Sequence, residues 1–429
     1  MSFFSSLGSI RPATLLSLFS FILFSFSSAL LAADWPQWGG PSRDFVSQGE
    51  PLAENWGGND PENQGPEKLW ERSLGDGYAG IAAVGDRLYT MYRENNDEVV
   101  IVLDAGTGET VWEHRYDATP TSKMKLSYGP GPHVTPTVDR GLVFTAGVMG
   151  VFHALDAQDG SVVWKRDLVE DLGGDLLVRG YAVSPLIDGD NVLLKLGGEN
   201  AVIALHRKTG EVVWKTEAAA ENSQSSPILV NVKGERQLIA FMAGEVIAVS
   251  PDDGRLLWRH KHRSGAVYNI MTPLYLEESQ HLFLSSAYGG GSRLLKILPS
   301  QDGAGQAPVE LWESNRLNVH FTNAVRIGDL YVGSNGATGS TILSALDAET
   351  GALVWKSRDV ERSSFVQRGD RFLALDHEGR LALLGLSRDG VQKFAEYQLF
   401  EDRSFTPPTL VGKTAYARDR EKILALRLP

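Results

Sequence analysis

Cysteine is absent from all 429 residues. Its absence excludes disulfides, thiolate metal sites, thiol nucleophiles and a lipid-bearing cysteine. A basic block is missing too. The chain has 41 Lys and Arg against 53 Asp and Glu, a net charge of −12, which suits a phosphate backbone poorly and excludes nucleic acid as the natural partner. No G-x-S-x-G elbow, H-E-x-x-H pair or P-loop occurs, and these would mark a hydrolase, zinc peptidase or nucleotide site. Calcium loops of D-x-D-x-D-G type are also missing. No stretch is low-complexity, although Gly is abundant at 45 residues beside 19 Pro. That abundance predicts many tight turns and therefore many short strands.

Residues 2–31 contain no acid and one base, Arg11. The apolar run TLLSLFSFILFSFSSALLAA follows and ends in small residues at Ala32 and Ala33. A basic start, an apolar centre and a small-residue exit describe a secretory signal peptide over 1–33, cut after Ala33. The alternative is an uncleaved anchor, because an apolar stretch of about 18 residues just spans a bilayer. After cleavage no membrane-spanning segment is expected, and the chain is placed in the periplasm or outside the cell.

The rest is one unit written repeatedly. Residues 102–112 read VLDAGTGETVW, 154–164 ALDAQDGSVVW, 204–214 ALHRKTGEVVW, 248–258 AVSPDDGRLLW and 345–355 ALDAETGALVW. Weaker copies end at Trp312 and Phe394, and EKLWERSL carries Trp70 ahead of any full unit. The eight aromatic marks are spaced 39 to 54 residues apart. Each unit has a front half of the form S/T-P-Φ-Φ (Φ apolar), as in VTPTV at 134–138 and VSPLI at 183–187, followed by alternating apolar and polar residues. Alternation of period 2 between turn signals reads as antiparallel strands, four to a unit. Four strands repeated at this length predict an all-β, eight-bladed β-propeller of four-stranded antiparallel blades over 67–429, preceded by an N-terminal lead at 34–66. After Phe394 only three strands remain, so KLWERSL is expected to supply the fourth and seal the ring from both ends.

The repeat Trp is expected to lie flat between neighbouring blades. Asp104, Asp156 and Asp347 are expected to cap the backbone amides of their turns, and the Gly supplies the positive φ of the hairpin. Trp164, ending a clean repeat, is expected to matter more to stability than Trp35 in the lead.

The turn-and-Trp unit resembles the tryptophan-docking motif of the pyrroloquinoline quinone (PQQ) propellers, a family that includes quinoprotein dehydrogenases and the propeller subunit of the outer-membrane β-barrel assembly machinery. The opening DWPQWGGPSRD at 34–44 is similar to a secreted bacterial branch of PQQ-like propellers. The dehydrogenases imply PQQ over a Ca²⁺, carboxylate and amide ligands, an Asp base and a disulfide between adjacent cysteines. None of those residues maps onto a numbered position here, so no catalytic residue, metal or cofactor is expected. The assembly subunit implies a protein partner.

His260 and His262 form an H-x-H pair that reads as part of a solvated basic patch, RHKHR. The better candidate is the funnel where the innermost strands begin. The front motifs bring Tyr78, His133, Tyr181, Asn269 and His320 to those starts, while Arg93, Arg179 and Tyr288 lie on loops or strand ends that reach the same face. Such groups suit a small polar ligand or a peptide. The expectation is a monomeric envelope binding or scaffolding module for a protein or small polar ligand. The alternative is a PQQ-dependent or other redox enzyme using the funnel.

Overall fold

The computed structural model describes Met1 and residues 34–54, 56, 65–301 and 305–429. The expected signal peptide and its cut therefore lie outside the described residues, Met1 apart. Among the described residues no helix is long and apolar enough to cross a membrane.

Among the described residues, thirty-two strands form eight antiparallel sheets of four, seven of them meanders in sequence order. Blades 1 to 7 occupy 82–117, 137–167, 186–215, 228–261, 274–314, 319–357 and 363–398. Blade 8 joins the strands of 409–427 to Glu67–Ser73, which pairs antiparallel with Lys422–Arg427. The ring is thus sealed by both ends of the propeller. Arg418 is fully buried behind this seam and donates to the carbonyls of Gly77, Ala79 and Met91.

The eight aromatic marks all lie on outermost strands. Just before the Trp a bulge interrupts the ladder: Thr110 pairs with Leu103 and Trp112 with Val102, leaving Val111 over. Such a bulge re-aims the next side chain, here toward the neighbouring blade. Trp112, Trp164, Trp214 and Trp312 then donate their indole N–H to the carbonyls of Ala157, Arg207, Pro251 and Ala348 in the next blade's turn. At the seam Trp70 does the same to Ala105. Trp258 instead bonds Gln237 of its own blade at 2.8 Å. In blade 7, Phe394 has no such donor and packs under the Arg371 guanidinium. Asp104 and Asp347 cap their turn amides, as expected.

The front motif forms a belt around the axis. The amide of Gly80 donates to the Thr135 hydroxyl, that of Thr135 to Ser184, and that of Ser184 to Ser226, all at 3.0–3.1 Å. Each Ser or Thr thereby links its blade to the one before. The Pro that follows has no N–H, and on the innermost strand none is needed.

The lead corrects one expectation. Trp35 is as buried as the repeat tryptophans, at 4% exposure, and its backbone pairs with Ala83. From there the lead crosses the channel. Pro36 accepts from Val138 of blade 2. Arg43 donates to Ser184, Pro185 and Pro227 of blades 3 and 4. Trp38 donates to Thr272 before blade 5. Val46 bridges to Gln367 of blade 7, and Ser47 bonds Leu410 of blade 8. Arg43 and Phe45 hold φ of +58° and +62°, a conformation non-glycine residues keep only when surrounding contacts enforce it.

Candidate functional site

Above this crossing segment lies a cavity with about 1050 Å³ of empty space, part of it open to solvent. The two layers follow from the direction of the inner strands. His133, Ala182, Gln224 and Ile270 line the cavity, and two to five residues later the same segments meet the lead at Val138, Ser184, Pro227 and Thr272. Trp38 of the lead is itself part of the cavity wall and closes it from below.

The walls come from the loops between blades. The loop after blade 1 supplies Lys125, Tyr128 and His133, and the loop after blade 2 supplies Arg179. Gln224 and Tyr268 precede blades 4 and 5, and Tyr288 stands on a blade 5 hairpin. His320 and Phe321 open blade 6, and Phe405 precedes blade 8.

Five of the eight residues expected at the funnel, Tyr78, His133, Arg179, Tyr288 and His320, share this cavity. Arg93, Tyr181 and Asn269 do not. Arg93 is buried beside blade 2 in an ion pair of 2.9 Å with Glu98. Tyr181 points into the blade core and donates to the Lys195 carbonyl. Asn269 donates to the Met242 carbonyl from a fully buried position. For Tyr181 and Asn269 the reason is the alternation of an extended chain. Ala182 and Ser184, or Tyr268 and Ile270, face the channel, so the residues between them face inward. His262 is also displaced from its expected place. It is fully buried against Phe241 and bonds Ser286, while His260 pairs with Glu310 outside.

The Arg179 guanidinium lies 4.9 Å from the Tyr128 ring centre and 5.9 Å from that of Tyr268. Its Nη1 donates to the Lys125 carbonyl and the Ser127 hydroxyl. The His133 ring stacks nearly parallel to Tyr78 at 6.4 Å, and burial holds its pKa down to about 4. Burial holds His320 at about 3, with Arg362 and Arg179 pushing the same way. Both imidazoles are therefore neutral at pH 7. His320 Nε2 lies 3.4 Å from the Tyr288 hydroxyl, and its Nδ1 is buried without a partner. Both polar atoms of the Gln224 amide are likewise buried and unpartnered.

Sequence reasoning missed Trp38, Lys125, Tyr128, Gln224, Tyr268, Phe321 and Phe405. Tyr268 and Gln224 were reachable by counting alternate residues back from the inner strands. Tyr128 sits in the Gly- and Pro-rich SYGPGPH loop, whose path alternation does not predict.

No lining residue is a carboxylate, and among the described residues no group of three or more His, Asp or Glu could hold a metal ion. A quinone held over Ca²⁺ needs carboxylate ligands and an Asp base. The wall offers an amide and two neutral imidazoles, so these residues do not fit the metal–quinone pair.

The family described as outer membrane protein assembly factor BamB matches residues 95–357. BamB of Yersinia pestis is 26% identical over 330 residues, covering 71% of this chain and 78% of that protein. Quinohemoprotein alcohol dehydrogenase ADH-IIG of Pseudomonas putida is 31% identical over 149 residues, covering 32% of this chain and 20% of its own. Among solved structures, BamB from Moraxella catarrhalis superposes with a TM-score of 0.59 at 17% identity, covering 85% of this chain and 98% of its own. A europium-containing methanol dehydrogenase reaches 0.66 at 12% identity, covering 92% and 98%. At such identities the superpositions speak for the fold alone.

Proposed function

Because this chain belongs to the family described as outer membrane protein assembly factor BamB, we propose that it is a non-catalytic binding propeller of the bacterial envelope. It holds a protein partner in outer-membrane protein assembly, and its axial cavity is a separate small-ligand site. The observation that carries the assembly role is the match itself, which runs through blades 1 to 6. The cavity supports the absence of turnover. It presents aromatic faces, cations and an amide, and no carboxylate to move a proton or hold a metal.

The test is to delete the gene in its host and quantify outer-membrane proteins. A reduced content, restored by the full chain, supports the reading. Unchanged content, together with alcohol-dependent dye reduction by purified protein supplied with PQQ and Ca²⁺, would replace it with the redox enzyme.

A further inference from the structure

The cavity specifies its ligand more narrowly than the word binding does. The chain carries a net charge of −12, yet every charged residue on the cavity wall is a cation, Arg179 or Lys125. Behind Phe321 stands a third cation, Arg362, 5.4 Å from that ring. Cations grouped in a concave, low-dielectric site focus a positive potential inside it, whatever the net charge outside. Arg179 spends only its Nη1 on the loop carbonyl of Lys125 and the hydroxyl of Ser127. Its Nε–Nη2 edge is left for a planar, two-oxygen partner. The depressed pKa of His320 owes part of its shift to the same cations.

The second observation is the Gln224 amide. It is buried, and neither its donor nor its acceptor finds a partner in the protein. Buried polar groups are normally paired, so one left open on a cavity wall marks a place for a ligand atom. The third is the wall around it, where Tyr78, Tyr128, Tyr268, Tyr288 and Phe405 present rings and Trp38 closes the floor. Two cations and no carboxylate on the wall favour an anion over a neutral sugar. A threaded chain would need a second opening, and the lead crosses the channel there.

We propose that the cavity binds a small organic carboxylate with an aromatic body, its carboxylate at Arg179 and Lys125, its ring against the tyrosines, and a polar atom at Gln224. This rests on the reading of the cavity as a small-ligand site.

The experiment titrates the purified full chain with phenylacetate and indole-3-acetate, each beside its neutral amide, by isothermal calorimetry. Expected are dissociation constants of about 1 mM or tighter for the acids, weakening with salt, and amides weaker by about tenfold. Arg179→Met and Gln224→Leu should each weaken the acids by about tenfold at an unchanged denaturation midpoint. Lys125→Met changes an exposed side chain and should leave the denaturation midpoint unchanged, so it tests the charge separately. It should weaken the acids by about threefold and flatten the salt dependence. Equal binding of acid and amide, no saturable binding of either acid, or undiminished binding by Arg179→Met overturns the proposal. Carboxylate binding beside unchanged outer-membrane content upholds this site and fails only the assembly role. Lost outer-membrane content without carboxylate binding does the reverse.

Discussion

The indole of Trp164 rests on Gly210 of the next blade, and the turn that contains this glycine accepts its N–H at 2.8 Å through Arg207. A Cβ on Gly210 would stand 2.6 Å from the Trp164 ring, and φ there is +68°. Gly210→Ala should therefore cost about 2–4 kcal/mol, combining overpacking with left-handed strain. Trp164→Ala should cost about 3–5 kcal/mol. In the double variant the costs should not add, because each removes part of the same contact. Urea midpoints of the four proteins check this, and full additivity would show that the two residues do not touch.

Arg43 is buried among three carbonyls that have lost water. Its pKa is held down to about 9 by burial. Arg43→Met leaves those carbonyls unpaired and should cost about 2–4 kcal/mol. Trp35→Ala should approach Trp164→Ala in cost, since both rings are buried. A midpoint shift for either variant within the error of the wild type would mean that the lead can leave the channel freely.

Deleting 34–74 removes the strand Glu67–Ser73 and the crossing segment together. Lys422–Arg427 would then present an open edge. Exposed edges pair with other chains. Size-exclusion chromatography should show aggregation, and the melting transition should broaden. A monomer with an unaltered melt would contradict closure from both ends.

Four histidines are held neutral by burial. Their folded pKa values are about 4 for His133 and about 3 for His153, His262 and His320. The unfolded value is about 6.5, so below it the unfolded chain binds protons that the native chain does not. Stability is then complete above about pH 6.5 and falls as pH drops toward 3, by up to about 1.4 kcal/mol per unit for each ring. Denaturant midpoints at pH 7, 6 and 5 measure the slope. His153→Gln should reduce it by one ring's share. A flat profile would mean that the rings take up protons without unfolding.

Trp112 and Trp164 show what the sequence carried of the fold. Each lies at a fixed offset after a turn whose chemistry is local, so the repeat announces its strand and its partner blade. Tyr181 and Asn269 show where the candidate site became illegible. A motif marks where an inner strand starts, but which side of it faces the channel depends on a shift of one residue, and the motif alone does not say which side that is. Trp35 and Arg43 were illegible for another reason. The lead has no period, and its burial arises from seven blades that meet it from distant parts of the chain.

The strand that completes blade 8 has a consequence for the order of folding. Glu67 and Arg427 pair across a separation of 360 residues. In the unfolded chain, bringing such distant ends together costs about 5 kcal/mol of chain entropy, a cost that shrinks as the intervening blades form. Blades can form one after another as the chain emerges, but the first strand made must wait for the last. Until then the molecule is an open arc with its axis unplugged and two bare edges. The meeting of the two ends is therefore expected to be a late step of folding, since it needs strands from both extremes of the propeller.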